Sequence, residues 1–313
     1  MNRRSFLQAG AAALSALPLL SAANQLDYPW KLGVITDEVD PDLARALSSF
    51  YPKYGLKWAE FRNVSLGGRS VYVYREATDA QLRDLRKQLD GAGVKLSVLD
   101  TAVYKITLPG TTPLGASAND LNPATGEYAR QLDDLKRAAD AAHILGTRKL
   151  RIFTFKRVAQ PDAIFQRVVD DLGKAAAVAK AHDVILVIEN EFDCNVATGT
   201  ETARLFEALP DRTLMHNWDP GNCIEAGENP FPDAWNKLDH SRIAHMHLKD
   251  SSGHGWLPIG AGKIDFAGQF RALKQMHYSE TLSLETHYRN AQKDPYTSSV
   301  ESMDGLMRVL SQV

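Results

Sequence analysis

Residues 150–190 read LRIFTFKRVAQPDAIFQRVVDDLGKAAAVAKAHDVILVIEN, and this stretch decides the fold. A short apolar run, Leu150–Phe155, is followed by a long amphipathic stretch, Pro161–His182, and a second apolar run, Val184–Glu189. Short runs of this kind predict buried strands, and the stretch between them is long enough to be a helix. Two strands joined by a helical crossover lie parallel. The same unit recurs outward in both directions. Further strands are expected at Leu32–Thr36, Lys57–Phe61, Lys95–Leu99, Leu214–Trp218, Ile243–Leu248 and Thr281–Glu285. Helices are expected at Pro41–Phe50, Asp79–Gly91, Gly126–Leu145, Thr200–Leu209, Asp233–Leu238, Asp265–Met276 and Val300–Leu310. Glycines 55, 93 and 146 stand where three of the helices should stop. Eight strand–helix units predict an α/β fold, a single (β/α)8 TIM barrel. A doubly wound nucleotide-binding sheet would show GxGxxG after an early strand, and Gly33 stands alone.

The rest of the composition agrees. The chain has 313 residues, 44% hydrophobic and 24% charged, which excludes disordered, collagenous and coiled-coil classes. A net charge of -2 with no basic stripe argues against nucleic acid as a partner. Cys194 and Cys223 lack CxxC spacing and are too few for a disulfide framework, though one bond between them stays open. The N-terminus reads as a targeting segment. Arg3-Arg4 directly precede an apolar stretch, Leu7–Leu20, followed by small residues at Ser21-Ala22-Ala23. The stretch is too short to span a bilayer. Arg-Arg-Ser-Phe-Leu resembles the bacterial twin-arginine export signal. Residues 1–23 are therefore expected to be a signal peptide, residues 24–313 one barrel domain, and the mature protein periplasmic.

The chemistry lies at the ends of the later strands. The fifth ends in Glu189-Asn190-Glu191; Asp219-Pro220-Gly221-Asn222 follows the sixth. The seventh reads His245-Met246-His247-Leu248-Lys249-Asp250, and the eighth Ser283-Leu284-Glu285-Thr286-His287. Charges beside apolar runs are costly to bury unless something pairs them, and a divalent cation gathering Glu189, Asp219, His247 and Glu285 would do so. Three carboxylates and one imidazole favour Mn²⁺, with Mg²⁺, Co²⁺ or Zn²⁺ as alternatives. Strand alternation points His245, His247 and Lys249 the same way, with His245 one layer deeper. The long loops Asn63–Val73, Tyr104–Pro123 and Ser251–Lys263 follow strands, so they cover the same barrel face.

Glu189-Asn190, Asp219-Pro-Gly-Asn222, His245-x-His247-Leu-Lys249-Asp250 and Ser283-Leu-Glu285 resemble the xylose-isomerase-like TIM barrels, the sugar-phosphate isomerase/epimerase superfamily. Ile35-Thr36-Asp37-Glu38 and Glu60-Phe-Arg62 look like the same group. The resemblance implies that Glu189, Asp219, His247 and Glu285 hold the metal, with the two glutamates also flanking the substrate. It further implies a sugar isomerase or epimerase: one carboxylate removes a proton beside a carbonyl and another returns it, through an enediolate that the metal stabilises. Two features depart from the free-ketose 3-epimerases. Asn222 stands where they carry a histidine, and Lys249 lies near the place of their arginine. A lyase that cleaves a 3-keto-glycoside by β-elimination is the close alternative, and an inactive sugar-binding barrel the third.

Substrate contacts are expected from Glu60, Arg62, Lys249, His287 and Trp256, with Trp218 and Tyr104 as further stacking candidates. Each has a structural alternative: Glu60 and Arg62 an ion pair between strands, Lys249 a pairing with Glu191 or Asp250, Asp219 a helix cap, and the aromatics simple packing. The Gly260-Ala261-Gly262 turn has the look of an anion loop, although it also suits a plain entry into the next helix. The partners expected are a small carbohydrate, the twin-arginine translocon during export, and a second copy of the chain as a further option. Replacing Arg3 and Arg4 together by Lys should strand the protein in the cytoplasm. Unchanged periplasmic yield in a strain lacking that translocon would show another route.

Overall fold

The computed structural model describes residues 29–115 and 125–313. The expected signal peptide, residues 1–23, lies outside the described residues. Eight parallel strands close a barrel: β1 (Lys31–Ile35), β2 (Trp58–Phe61), β3 (Lys95–Asp100), β4 (Lys149–Ile152), β5 (Ile185–Glu189), β6 (Leu214–Trp218), β7 (Ile243–Leu248) and β8 (Thr281–Leu284). Each strand pairs with its neighbours in sequence, and β8 closes on β1 through Lys31↔Thr281 to Val34↔Leu284. All eight expected strands are present. Among the described residues no helix is long and apolar enough to cross a membrane.

The strands read as unbroken apolar runs because both their faces are covered. Their outward residues, such as Val34, Leu150, Leu186 and Leu282, join one continuous core with the surrounding helices. The interior is different. Val98, Val187 and Ala244 form a small apolar plug, and polar side chains fill the barrel around it. Ala244 owes its place to a bulge. His216 pairs with Ile243, but Asn217 pairs with His245, so β7 carries one extra residue. A bulge re-aims the side chains that follow it, and here it sets His245 and His247 facing inward.

The expected helices are found with shifted ends. Asp79–Gly91 is as read, begun by a capping box of Thr78 and Gln81, while left-handed Gly55 and Gly146 end their helices. The stretch Gly126–Leu145 divides at Arg130 into Thr125–Ala129 and Gln131–Leu145. The side chain of Gln131 explains the break. Its Nε2 donates to the Glu127 carbonyl while its Oε1 accepts from Tyr104 N, so a loop contact replaces one rung of the helical ladder. Asp233–Leu238 is not one α-helix; Pro230 and Pro232 lack backbone donors, and a wide turn, Pro230–Ala234, runs into a short 3₁₀ turn, Trp235–Lys237.

Two of the long loops are ordered ribbons. Asn63–Leu66 and Arg69–Tyr72 form a hairpin turning at Gly67-Gly68, both with positive φ. Asp250–Ser251 pairs with Trp256–Leu257. The last helix, Pro295–Leu310, packs on the stretch after that second ribbon through Gly305, where any Cβ would run into the Ile259 carbonyl oxygen. Gly305→Ala should therefore destabilise the protein by roughly 1–3 kcal/mol, the usual cost of overpacking. Urea unfolding of both proteins measures it, and an unchanged midpoint would show that the helix can shift.

Candidate metal centre

Four consecutive strands, β5 to β8, end in Glu189, Asp219, His247 and Glu285, and one ligand atom from each lies within 4.8 Å of all the others. The cluster centres on His247 Nδ1, which is 3.3 Å from Glu189 Oε1, 3.6 Å from Asp219 Oδ2 and 3.3 Å from Glu285 Oε2. All four side chains are buried.

Their neighbours hold them in place. His247 Nε2 lies 3.0 Å from Glu60 Oε1, and His245 Nε2 is 2.9 Å from the other Glu60 oxygen. A carboxylate behind a histidine fixes the ring and leaves its other nitrogen for a cation. The two glutamates are anchored alike. Glu189 turns Oε1 to the cluster, where Asn222 Nδ2 donates at 3.0 Å, and Oε2 to Arg151 at 3.2 Å. Glu285 turns Oε2 to the cluster and Oε1 to Arg62 at 3.4 Å and His287 at 3.2 Å. Asp219 divides its work: Oδ1 caps the helix Pro220–Glu225 by accepting from Asn222 N, while Oδ2 faces the cluster. Both readings of Asp219 meet in one residue. Gly221 makes this turn possible, since a Cβ there would meet the Lys249 backbone oxygen at 2.7 Å.

Sequence reasoning placed some residues less well. Glu60 was expected against substrate, but it is fully buried and both its oxygens are taken by histidines, so it positions His247 instead. Arg62 spans Asp37, Glu38 and Glu285 as a structural clamp. Lys249 pairs with neither Glu191 nor Asp250; its Nζ lies 3.0 Å from Asp219 Oδ2 and 2.7 Å from Glu285 Oε2. Trp218 and Tyr104 are buried and pack, with Trp218 Nε1 donating to Gln269, so neither offers a face to a sugar. Trp256 and His287 do stand at the mouth, partly exposed, 5.1 Å apart edge to face. Arg151, Asp100 and His216 escaped notice. A charged or titratable group inside an apolar strand was the available signal, since it needs a buried partner. His216 contacts the Asn190 amide oxygen, which also accepts from Asp219 N, and burial takes the His216 pKa down to about 3.

The electrostatics follow from crowding. Burial opposes charge on His247, but Glu60, Glu189 and Glu285 outweigh it and keep the ring protonated well above its usual range. Burial also opposes charge on Glu189, which His247 and Arg151 bring down to about 2. Lys249, His287 and His247 likewise hold Glu285 well below its ordinary value against burial. Both glutamates are ionised at neutral pH. A divalent ion suits this set on the donors alone: hard carboxylate oxygens, one imidazole nitrogen, and both thiols free and outside the cluster. Asp219 Oδ2 in particular is buried and has only the Lys249 ammonium, at 3.0 Å, and His247 Nδ1, at 3.6 Å, beside it.

The match with known proteins covers the fold and part of the sequence. The model of the xylose isomerase-like TIM barrel family matches residues 53–307. A protein of Escherichia coli (strain K12) named as an L-ribulose-5-phosphate 3-epimerase, SgbU, is 26% identical over 189 residues, which are 57% of this chain and 64% of that protein. Among solved structures, the IOLI protein "with a binding zinc atom" has a TM-score of 0.68 at 16% identity, covering 90% of this chain and 98% of its own. An L-ribulose 3-epimerase has a TM-score of 0.61 at 18% identity, covering 90% and 95%. At these identities the structures are alike in fold.

The surrounding carboxylates raise the His247 pKa well above its ordinary value, and an imidazole must lose its proton to ligate through that nitrogen, so metal uptake near pH 7 should release a proton. Affinity should then weaken as the pH falls. Calorimetry of Mn²⁺ binding in buffers of different ionisation enthalpy measures the release; a buffer-independent heat would show that His247 is not a ligand.

Proposed function

Because the chain belongs to the xylose isomerase-like TIM barrel family, we propose that it is a divalent-metal-dependent sugar isomerase or epimerase, with Mn²⁺ as its ion. The observation that carries this reading is the convergence of Glu189, Asp219, His247 Nδ1 and Glu285 from four adjacent strands. The relative named as an epimerase supports the same class of chemistry. When bound there, the cation would polarise a sugar carbonyl and its neighbouring hydroxyl.

The chain's own residues supply the proton movements. Glu189 and Glu285 are the outermost of the four and come from β5 and the end of β8, so they bracket a substrate placed over the site. Each is ionised, and each is held by an arginine through its rear oxygen, which fixes the carboxylate that would take or return a proton. Return to the opposite face of the same carbon epimerises the sugar; return to the neighbouring carbon isomerises it. Lys249 carries N–H donors between Asp219 and Glu285, where a substrate oxygen would arrive. Asn190, through its hold on Asp219 N and the Asp219 carbonyl, keeps that acid in register. Arg3-Arg4 make the periplasm the proposed place of action.

One feature favours β-elimination as the second reading. His287 is partly exposed with Nε2 3.2 Å from Glu285 Oε1, so an acid stands beside the proposed base and could protonate a leaving oxygen. An unsaturated product from a keto-glycoside would select it.

Glu189→Gln and Glu285→Gln each keep an oxygen donor but lose the base. Both should keep much of their Mn²⁺ while turnover falls by about 10²–10⁴-fold, as removal of a general base does. Solvent-deuterium exchange into the sugar, followed by NMR alongside metal analysis, reads both effects. Near-normal turnover in both metal-loaded variants would end the two-carboxylate mechanism.

A further inference from the structure

The Gly260-Ala261-Gly262 turn leads toward the helix Phe266–Gln275, a setting in which backbone N–H groups can collect a phosphate. Here those donors are already used. Gly260 N and Gly262 N donate to Asp250 Oδ2 at 2.8 and 3.0 Å, and Ser251 N donates to Asp250 Oδ1 at 2.8 Å. Asp250 is buried and directly follows Lys249 at the exit of β7. The protein's own carboxylate thus sits where an anion would, one residue beyond Lys249. The fit leaves no spare room, since a Cβ on Gly262 would collide with that carboxylate.

The side chains around the site tell the same story. Arg62, Arg151 and Lys249 are each bound to two or more carboxylates. Farther out, Lys105 is held by Glu191 at 2.7 Å and Arg289 by Glu38 at 2.6 Å. Residues 116–124, outside the described residues, contain no Lys, Arg or His. A substrate phosphate that drew on any of these five cations would have to break its pair and leave a carboxylate without its cation, which is costly.

The mouth offers apolar surface instead. Trp256 lies with its ring centroid 5.0 Å from Lys249 Nζ, 5.1 Å from the His287 ring and 6.0 Å from the Phe192 ring. Phe192 is 40% exposed, one of few large apolar side chains so open among the described residues. The aromatic wall begins one side chain away from Glu285.

We propose that the site takes an uncharged keto-sugar carrying an apolar group, a keto-glycoside whose aglycone packs on the Phe192–Trp256 wall, and disfavours phosphorylated sugars because the cations at the metal centre are already paired with carboxylates and Asp250 fills the nearby N–H cradle. This rests on the sugar-enolising reading and names its substrate class. The test is calorimetric binding to the Mn²⁺-loaded full chain of glucose, glucose 6-phosphate, methyl glucoside, phenyl glucoside and inorganic phosphate. Phenyl glucoside should bind about tenfold more tightly than methyl glucoside, the worth of one aromatic contact. Glucose 6-phosphate should bind at least about tenfold more weakly than glucose, and phosphate should not compete. Trp256→Ala should erase the phenyl preference with its Mn²⁺ content intact. Asp250→Ala, which frees the cradle, should gain competition by phosphate; if that variant does not fold, the comparison in the native protein still decides. Equal or tighter binding of the phosphorylated sugar, absence of the phenyl preference, or no binding of any sugar overturns the proposal. Absence of deuterium exchange into a keto-glycoside, with the binding pattern intact, would instead sink the enolising reading and leave the substrate class standing.

Discussion

The structure depends on the pairing of Glu60 with His245 and His247. A carboxylate with no exposed surface, deep in a barrel, is among the most expensive groups a fold can bury, and only charge and hydrogen bonding on both its oxygens make it tolerable. Here one carboxylate answers to two imidazoles at 2.9 and 3.0 Å. The pairing fixes the ring of His247, and that ring fixes the point on which Glu189, Asp219 and Glu285 converge. Remove Glu60 and His247 loses its orientation, leaving three carboxylates to repel one another around an untethered ring. The arginines extend the same logic outward, Arg151 joining Asp100 to Glu189 and Arg62 joining Asp37 and Glu38 to Glu285. What looks like a cluster of acids is a lattice in which carboxylates alternate with cationic side chains.

The barrel makes such a lattice affordable to build because it supplies the groups one strand at a time. No single segment carries more than three members of the lattice, His245, His247 and Lys249 at β7 being the most, so each strand can stay apolar enough to pack against its helices. Precision comes from small irregularities. The extra residue in β7 brings Ala244 into the interior plug and then returns His245 and His247 to the inner face. Gly221 lets the Asp219 turn press against Lys249, and Gly305 lets the last helix press against the loop beyond Trp256. Each is a place where any larger side chain would push the site out of shape.

Much of this was legible in the sequence. The alternation of short apolar runs and amphipathic stretches gave every barrel strand, and acids at the strand ends gave the four residues that converge. The hairpin at Asn63–Tyr72 was missed although Gly67-Gly68 is a turn signal and Asn63–Leu66 alternates polar and apolar, because each strand is only four residues long and Arg69–Tyr72 does not alternate. Arg151 was missed because apolar neighbours hid it inside a strand. The role of Glu60 was misjudged because alternation says which way a side chain points and nothing of how deep it lies: Glu60 and Arg62 belong to one strand exit, yet Glu60 is fully buried and Arg62 reaches the mouth.

Depth and partner together separate the acids that hold structure from those open to chemistry. Asp219 and Asp250 both follow barrel strands, both are buried, and both accept hydrogen bonds from backbone N–H groups. In the fold, Asp250 uses both oxygens on its own loop, so its charge is consumed in shaping the turn that ends beside Trp256. Asp219 uses one oxygen on its helix and turns the other to Lys249 and to the point where His247 and the two glutamates meet. The same residue type just past a barrel strand thus serves its own loop in one case and the charged cluster in the other. The difference lies in how many backbone donors the following loop offers: a glycine-rich loop folds back and takes both oxygens, whereas a single helical turn caps one oxygen and leaves the second to side chains.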